Sequence, residues 1–411
     1  MSNLEELIER LCPDGVEYKT LTELFDTKNG YTPSKSKEEY WTNGTVPWFR
    51  MEDIRENGNI LSKAIQYVSE SAIKGSLFPA DSIIVATSAT IGQHALIKVP
   101  SLANQRFTYL VLKDEFKEQI DIMFIYYCCF KLDEYCKECL NQGNFASVDM
   151  KKFLKFKFPV PPLEVQREIV RILDNFTFLT TELAAELAAR QKQYEYYKEY
   201  LFENHIFDVE WKRLDELFPF IRNGFVGTIK SFFTNETDGI RYLEGTNIHD
   251  GVISDNEVLY VTKEFHKKHI KNQLKSDDIL MVQSGHIGEC AVVGKKYEGS
   301  NCHALIIMSN GGKCLSKYYV YYFHTIKGFK SLTPAITGGT IKHVLAGKVG
   351  KIKVPVPSLE QQQRIVDILD RFDALCNDIS DGLPAEIEAR QKQYEYYRDK
   401  LLTFKELKKE A

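Results

Sequence analysis

The longest regular pattern of apolar positions in the chain begins at Val165 and continues to Leu201. Most of its apolar side chains are three or four residues apart, as in the seam of a coiled coil. They are Ile169, Ile172, Phe176, Leu179, Leu183, Leu187, Tyr194 and Tyr197. Pro161 and Pro162 precede the pattern and prevent a helix from starting earlier. The pattern predicts a helix of about 35–40 residues, whose apolar stripe needs a partner helix to cover it.

Short apolar runs separated by Gly, Asn and Ser predict β-strands on both sides of this helix. The predicted strands are 82–86, 95–99 and 107–112 before the helix, and 279–282, 291–293 and 304–308 after it. Further helices are expected near 120–140 and 316–329, and lysine-rich strands at 151–157 and 348–353. The chain should therefore contain two mixed α/β domains.

The two domains belong to an internal repeat. PVPPLE at 159–164 returns as PVPSLE at 355–360, and ARQKQYEYY at 189–197 returns letter for letter at 389–397. Weaker matches extend upstream, so the chain is two copies of one unit, each with a divergent part and a nearly identical part. The predicted segments are an N-terminal segment (1–15), a first domain (16–160), a central helical spacer (161–208), a second domain (209–356) and a distal helical spacer (357–411).

The two helical spacers differ in one respect. Residues 181–188 read TELA followed by AELA, a tandem tetrapeptide that continues the first helix. The corresponding part of the second spacer is longer and contains Asp381-Gly382-Leu383-Pro384. Because Asp-Gly stops a helix and proline is tolerated in a first turn, the second helix is expected to be kinked or split.

Composition limits the function classes. The 53 Lys and Arg residues against 57 Asp and Glu residues give a net charge of −4, which argues against coating nucleic acid by bulk charge. Any DNA binding must come from local patches. No apolar run reaches the roughly 18 residues that span a bilayer, and the first residues lack the layout of a signal peptide. We therefore expect a cytoplasmic protein without a membrane partner.

The nine cysteines fit reduced thiols better than a disulfide framework, because their number is odd and they are scattered. One cluster could be half of a zinc site: Cys128, Cys129, Cys136 and Cys139. Its apolar spacing instead indicates a helix, on which four ligands could not converge on one ion. We therefore predict helix-face thiols and no metal site.

Known catalytic signatures are missing from the sequence. There is no GxxxxGK[ST] phosphate loop, no HExxH and no GxSxG. The Asx-Pro-Pro-aromatic motif of amino-methyltransferases is also absent, because Val160-Pro161-Pro162-Leu163 has the wrong flanks. We therefore predict no catalytic residue, although an enzyme with an unrecognised site in the divergent domains remains an alternative.

Polar residues of the predicted loops are the candidates for contact with DNA. Arg and Lys pair with guanine, Asn and Gln with adenine, Ser and Thr with either, and lysines of the closing strands can hold phosphates. In the first domain the candidates are Ser88, Thr90, Gln93, His94, Asn104, Gln105, Arg106, Asn141, Gln142, Asn144, Lys155 and Lys157. In the second they are Gln283, Ser284, His286, Asn301, His303, Thr340, Lys342, His343, Lys351 and Lys353. Two different domains on one helical spacer suggest a reader of two DNA half-sites.

The tandem divergent domains, the PVPPLE and PVPSLE segments and above all RQKQYEYY resemble the specificity subunit of type I restriction-modification enzymes, especially the IC group. The resemblance covers essentially the whole chain and is strongest in the helical segments. It implies an α+β fold: two α/β target recognition domains separated by two long antiparallel helices in a coiled coil, with a pseudo-twofold internal repeat. Each domain of such a subunit binds one half of an asymmetric bipartite site in double-stranded DNA.

The resemblance also implies partners. Two methyltransferase subunits would dock on the helices and supply S-adenosylmethionine, and two ATP-driven restriction subunits would complete the complex. No cofactor is expected in this chain, because S-adenosylmethionine, ATP and Mg²⁺ would be bound by the partner subunits. Residues of the exact repeat are the candidates for docking: Arg190, Gln193, Tyr194, Tyr197, Arg390, Gln393, Tyr394 and Tyr397. Their tyrosines could equally serve only to pack the two helices together.

In this family the tetrapeptides act as a spacer that sets the unread gap between half-sites, and each adds about 6 Å of helix. A rival of another class remains open. The coiled coil could be a scaffold whose α/β domains bind protein rather than DNA, and the slight net negative charge favours that alternative.

Overall fold

The structure is a computed structural model that describes residues 2–141, 146–204, 209–339, 342–378 and 380–407. The chain forms two compact units. The first comprises Met1–Glu182 and Ile387–Ala411, and the second comprises Leu183–Glu386. Each unit holds one α/β domain together with part of both helical segments, so the division between the units runs through helices.

The domain of the first unit is built from short strands around a buried central strand. Its strands are β1 (Glu17–Thr20), β2 (Phe25–Asn29), β3 (Val46–Phe49), β4 (Ile60–Leu61), β5 (Tyr67–Val68), β6 (Ser82–Ala86), β7 (His94–Ile97), β8 (Leu102–Ala103), β9 (Phe107–Leu112) and β10 (Lys157–Val160). Its helices are α1 (Ser2–Leu11), α2 (Leu21–Leu24), α3 (Met51–Asn57), α4 (Ile122–Glu138) and α5 (Met150–Phe153). Every residue of β6 is buried, as its unbroken apolar run predicts.

The long helix α6 (Leu163–Asn204) spans 42 residues and begins directly after the two prolines. It is continuous through the TELA and AELA tetrapeptides, as expected. The second helical segment is split into α12 (Leu359–Asn377) and α13 (Leu383–Leu401). Between them Oδ1 of Asp378 accepts a hydrogen bond from Ser380 N at 2.7 Å. The predicted break is therefore confirmed.

The domain of the second unit contains more strands than that of the first, among the residues that the structure describes. They are β11 (Glu210–Arg213), β12 (Phe220–Asn223), β13 (Phe233–Thr234), β14 (Gly239–Leu243), β15 (Ile248–His249), β16 (Val252–Ile253), β17 (Leu259–Thr262), β18 (Ile279–Val282), β19 (Cys290–Val292), β20 (Asn301–Cys302), β21 (Leu305–Ser309), β22 (Ile336–Thr337), β23 (His343–Val344) and β24 (Lys353–Val356). Its helices are α7 (Leu214–Leu217), α8 (Lys263–Lys268), α9 (Ser316–Phe323), α10 (Ile326–Ser331) and α11 (Ala346–Val349).

Both domains follow the same plan. The first strand of each pairs antiparallel with the last, β1 with β10 and β11 with β24. The central sheets have the same order, β2-β9-β6-β7 in the first unit and β12-β21-β18-β19 in the second. A parallel pair stands beside each sheet, β3 with β8 and β14 with β20. The repeat found in the sequence is therefore also a repeat of the fold.

Matched buried glutamines fasten the helices to the domains. In the first unit Gln166 Nε2 donates to Pro161 O at 2.8 Å, and its Oε1 accepts from Asp121 N at 2.9 Å. In the second unit Gln362 makes the same pair of bonds, to Pro357 O at 2.9 Å and from Leu315 N at 2.8 Å. A buried amide with both ends paired fixes the direction in which each helix leaves its strand.

A hydrogen bond between a tyrosine and an aspartate also attaches each helix to its domain, about two turns after the glutamine. Tyr127 of α4 donates to Asp174 Oδ1 at 2.6 Å, and Tyr321 of α9 donates to Asp370 Oδ1 at 2.6 Å. Asp174 and Asp370 are the aspartates of the repeated Ile-Leu-Asp tripeptide. The similarity of these segments thus has a structural role within the chain.

Residues near 402–407 complete the first domain. Val16 N donates to Lys405 O at 2.9 Å, and Leu407 N donates to Val16 O at 2.8 Å. Lys131 Nζ donates to Leu402 O at 3.0 Å, and the Leu402 side chain is buried in the core of this unit. A segment far along the chain therefore extends the small sheet at the start of the domain.

Three sequence predictions need correction. Segments 151–157 and 348–353 are not strands, because each starts with a short helix (α5 and α11) and only its last residue enters a strand. Asp149 caps α5 by accepting from Lys151 N and Lys152 N, which favours a helical turn there. The helix expected at 316–329 is two helices, since Thr325 starts α10 by accepting from Gly328 N at 3.0 Å.

All nine cysteines are buried and free in this structure. Cys128, Cys129 and Cys136 lie on α4, and burial raises the pKa of Cys136 to about 12. In the described ranges no group of three or more His, Cys, Asp or Glu side chains is placed to hold a metal ion. Nor do these ranges include a helix with the length and apolar character needed to cross a bilayer.

Candidate nucleic-acid interface

In the first unit two segments that are distant in sequence meet beyond the end of β6. Ser88 forms an isolated bridge with Ser147, and Ala89 N donates to Ala146 O at 3.2 Å. Asn141 Nδ2 donates to Ser147 Oγ at 3.2 Å. The structure thus brings the candidates Ser88 and Asn141 to one edge of the domain. Gln142 and Asn144 lie outside the described residues.

A third loop, 104–106, joins this edge. Thr87 N donates to Arg106 O at 3.0 Å, and Asn104 Oδ1 accepts from Arg106 N at 3.0 Å. The side chains of Gln105 and Arg106 are exposed, whereas Thr90 and Gln93 are half-buried. The three loops therefore form one polar surface, as base contacts would require.

The second unit repeats the arrangement with other side chains. Ser284 forms a bridge with His343, and Val344 N donates to Gln283 O at 2.9 Å. Ser284, His286, Lys342 and His343 are exposed. Thr340 lies outside the described residues. The loop after β18 and strand β23 thus take the places of the two segments that meet in the first unit.

The turn after the central strand has the same backbone form in both units. Ala89 and Gly92 have φ of 65° and 78°, and Gly285 and Gly288 have φ of 82° and 88°. A side chain at Gly92 would have its Cβ 2.8 Å from Asp133 O, so the loop lies close against α4. Ala89 is not a glycine, so its positive φ is strained and must be held by the surrounding structure.

Two candidates are not available to DNA in this structure. His94 is fully buried, its Nδ1 is 2.6 Å from Asp133 Oδ2, and its ring packs against Tyr126 and Phe130. Asn301 is also buried, with Oδ1 2.6 Å from His266 Nδ1. Both belong to strands that face the interior rather than to loops. We therefore remove them from the candidate interface.

His303 remains a candidate. It is half-buried beside the parallel pair of the second unit, and its Nδ1 is 3.3 Å from the hydroxyl of Tyr242. This contact fixes the ring plane, whereas Asn104, which follows the parallel pair of the first unit, has no ring. The two units thus present different chemistry at related positions.

The four candidate lysines of the closing segments are exposed. Lys157 forms an ion pair with Glu406 at 2.8 Å, and this hydrogen bond raises the pKa of Lys157. Lys351 and Lys353 line a cleft of about 520 Å³ together with Lys348 and Ser331. A surface ion pair is weak and can be exchanged for a phosphate contact.

One further group of side chains lies at this edge of the first unit and is not among the residues predicted from the sequence. Trp41, Trp48 and Arg50 line a cleft of about 640 Å³, next to the strand that carries Asn104 on its end. The run Val46-Pro47-Trp48-Phe49 before Arg50 was an available signal, since it ends in apolar and aromatic residues typical of a strand. Its pairing partner β8 is two residues long and gave no signal.

The repeated RQKQYEYY segments are largely engaged within the chain. Tyr197 stacks on Phe372 at 5.6 Å between ring centroids, and Tyr397 stacks on Phe176 at the same distance. Tyr194 lies 6.2 Å from Phe372. Packing between the helices is therefore one role of these tyrosines.

The side chains of the other docking candidates also contact residues of this chain. Arg190 Nη1 donates to Gln193 Oε1 at 2.9 Å, and Arg390 makes the equivalent bond to Gln393 at 3.2 Å. Tyr394 is half-buried against Arg398. By contrast, Tyr196 and Tyr396 are 62% and 63% exposed. The exposed tyrosine of each repeat was not among the candidates.

Comparison with known proteins agrees with this geometry. The family described as "Type I restriction modification DNA specificity domain" matches residues 13–190 and 207–389, once over each copy of the repeat. The chain belongs to the type I restriction-modification specificity subunits. This membership explains why the sequence contains two related domains and two nearly identical helical segments.

Two specificity subunits from Escherichia coli illustrate the similarity. The chain is 38% identical over 407 residues to the specificity subunit of the type I restriction enzyme EcoprrI, covering 93% of this chain and 92% of the relative. It is 35% identical over 280 residues to that of EcoR124I/EcoR124II, covering 64% of this chain and 68% of the relative.

Solved structures share the fold at low sequence identity. The HsdS subunit from Thermoanaerobacter tengcongensis is 16% identical, with a TM-score of 0.56 over 95% of this chain and 97% of that chain. A chain from a study of assembly and conformational transition of the type I system is 17% identical, with a TM-score of 0.66 over 95% and 98%. The specificity-subunit fold is thus an α+β architecture of two repeated domains joined by a long helix.

Proposed function

We propose that this chain is the non-catalytic DNA-recognition subunit of a type I restriction-modification complex, and that each unit binds one half of an asymmetric bipartite site in double-stranded DNA. One observation carries the proposal. In each unit the loop after the central strand pairs with a distant segment, Ser88 with Ser147 and Ser284 with His343. The loops have the same backbone form but different side chains, which suits the reading of two different sequences.

Local charge supports contact with phosphates despite the net charge of −4. Lys342, Lys351 and Lys353 are exposed around the edge of the second unit, and Arg106 is exposed at that of the first. Each cation that neutralises a phosphate releases counterions and makes binding depend on salt. We propose that these residues position the DNA, whereas the loop side chains identify bases.

We further propose that two methyltransferase subunits dock on the repeated helical segments, and that two restriction subunits complete the assembly. S-adenosylmethionine, ATP and Mg²⁺ would then be bound by those partners. Two copies of one partner need two equivalent surfaces, and the repeated segments supply them. Tyr196 and Tyr396 are suited to this contact, because exposed tyrosines contribute strongly to protein interfaces.

The docking proposal can be tested with the variant Tyr196→Ser/Tyr396→Ser. We expect the double variant to bind the methyltransferase subunit at least tenfold more weakly, since two anchors are lost. Phe220→Ser is the matched control, because Phe220 is exposed and lies outside the two RQKQYEYY segments. Mass photometry of the mixed subunits measures the complex. Unchanged affinity of the double variant would exclude Tyr196 and Tyr396 from the contact.

The recognition proposal is tested by sequencing methylated adenines in cells that contain or lack this gene. Loss of one bipartite motif on deletion supports the proposal. If no motif is lost, a gel shift on random duplex pools, with and without the methyltransferase partner, decides whether the chain binds DNA. Absence of a shift in both cases would favour a scaffold that binds protein.

A further inference from the structure

Arg50 and Glu244 occupy the same position in the two units. Arg50 follows β3, in which Phe49 pairs with Ala103 of β8. Glu244 follows β14, in which Leu243 pairs with Cys302 of β20. The backbone angles agree closely, with φ −134° and ψ 175° at Arg50, and φ −121° and ψ 173° at Glu244. One backbone position therefore carries opposite charges in the two units.

The backbone at this position is held by other residues. Arg50 N donates to Asp53 Oδ2 at 2.7 Å, and Glu244 N donates to Asn247 Oδ1 at 2.9 Å. Asp53 and Asn247 are buried, so these bonds are shielded from water. Because the side chains of Arg50 and Glu244 are not needed for the turn, they can differ without changing the fold.

The position adjoins the candidate interface in both units. Phe49 O accepts from Asn104 N at 3.0 Å, and Leu243 O accepts from His303 N at 2.8 Å. Arg50 thus lies beside the 104–106 loop, and Glu244 lies beside His303. Both charged residues stand at the edge where side chains of the loops would meet bases.

The guanidinium of Arg50 is oriented but has unused hydrogen-bond donors. Its Cζ lies 5.7 Å from the ring centroid of Trp48, and its Nε forms a long ion pair with Glu52 Oε2 at 4.0 Å, beyond hydrogen-bond distance. Its Nε is buried and has no hydrogen-bond partner among the residues that the structure describes. An arginine held in place by an aromatic ring presents a planar fork that matches the N7 and O6 atoms of guanine.

Glu244 has the opposite chemistry. A carboxylate near DNA is repelled by phosphates, and its presence is favourable only where a base donates a hydrogen bond to it. Amino groups of cytosine and adenine in the major groove are such donors. His303 and the buried Tyr242 border this position, so Glu244 is half-buried rather than free in solvent.

We propose that Arg50 and Glu244 are specificity-determining residues, that Arg50 donates hydrogen bonds to a guanine in one half-site, and that Glu244 accepts one from a base amino group in the other. The proposal rests on the proposed function, because it assumes that each unit reads a half-site. It goes further in naming one residue of each unit and the class of base that it selects.

The test uses the complex of this chain with its methyltransferase partner, selected on random duplex pools and sequenced. We expect Arg50→Gln to reduce the preference for one guanine in one half-site by about 5- to 150-fold. Glu244→Met removes the acceptor at similar side-chain length, so it should do the same at one cytosine or adenine of the other half-site, and the sequenced pool tells the two bases apart. Arg55→Gln and Glu298→Met, both at exposed positions, are the matched controls and should leave the motif unchanged.

A charge-exchange variant separates recognition from misfolding. Arg50→Glu should select an amino-bearing base where the unmodified chain selects guanine, and a misfolded domain cannot gain such a preference. Salt dependence separates base contact from phosphate contact. If Arg50 touches a base, Arg50→Gln leaves the slope of affinity against salt unchanged, whereas loss of a phosphate contact lowers it by about one.

The outcomes are distinguishable. If the unmodified complex selects no bipartite motif, the proposed function fails. If it selects one, and Arg50→Gln and Glu244→Met keep every base preference, the present inference is overturned while the proposed function stands. Loss of a whole half-site in Arg50→Gln, with no new base selected by Arg50→Glu, also overturns it.

Discussion

The buried amide of Gln362 offers a quantitative test of how the helical segment is fastened to its domain. Replacing Gln362 by Met keeps the length of the side chain but removes both of its hydrogen bonds. Leu315 N and Pro357 O, now 2.8 Å and 2.9 Å from the amide, would lose their partners. A buried polar group without a partner costs about 1–3 kcal/mol, and the Leu315 bond is only partly buried, so we expect a loss of about 2–4 kcal/mol.

The assay is amide hydrogen exchange of α9 and the residue before it. The amide of Leu315 should exchange about 30- to 700-fold faster in Gln362→Met, because 1.4 kcal/mol corresponds to a factor of ten. Gln363→Met is the control on the neighbouring residue, since Gln363 is exposed and its side chain donates to Asp367 on its own helix. Its effect should stay within about 0.5 kcal/mol. Equal exchange in the two variants would refute the role assigned to Gln362.

Three further predictions address other parts of the chain. Inserting a third tetrapeptide after Ala188 adds about 6 Å of helix and should lengthen the unread gap without changing either half-site, and methylated-adenine sequencing that finds the original gap would contradict it. His94→Phe should lower the melting temperature by several degrees through loss of the bond to Asp133, while the selected DNA motif stays the same; an altered motif would return His94 to the interface. Burial lowers the pKa of His324, but its contacts with Cys290 and Glu289 together raise it to about 10, so protonated His324 should stabilise the unit fully near pH 6.5 and lose this stabilisation between about pH 6.5 and 10. Urea denaturation across this range should show a smaller decline in His324→Gln than in the unmodified chain, and identical declines would exclude the pair.

Much of the fold could be predicted from local patterns. The apolar spacing after Pro162 and the buried runs at 82–86 and 279–282 depend on neighbouring residues, so periodicity was sufficient to find them. The lysine-rich segments were misassigned because each begins with a single helical turn, which has no detectable period; only the first of these turns has a side-chain cap, Asp149. Whether a short segment forms a helix or a strand depends on capping residues and tertiary packing, and the apolar periodicity of the sequence contains neither.

The candidate site was predicted less completely than the fold. Loop residues such as Ser88 and Ser284 were found because glycine and polar residues mark turns. Arg50 was missed because its position depends on a parallel pairing with residues about fifty positions later in the chain. His94 was predicted to be exposed because it is polar and follows a loop in the sequence. Its burial depends on Asp133, which lies on a helix distant in sequence. Nonlocal contacts decided both cases.

The strand-like segment at Lys405 and Glu406 has a consequence for biosynthesis. The domain that leaves the ribosome first needs this segment to pair with Val16 and to bury Leu402. At roughly 5–20 residues per second, those residues follow Glu182 after roughly 10–45 s. During that interval the apolar side chains that Leu402 later covers stay exposed in the earlier domain. We therefore expect chaperones to bind mainly to the half of the protein that is translated first.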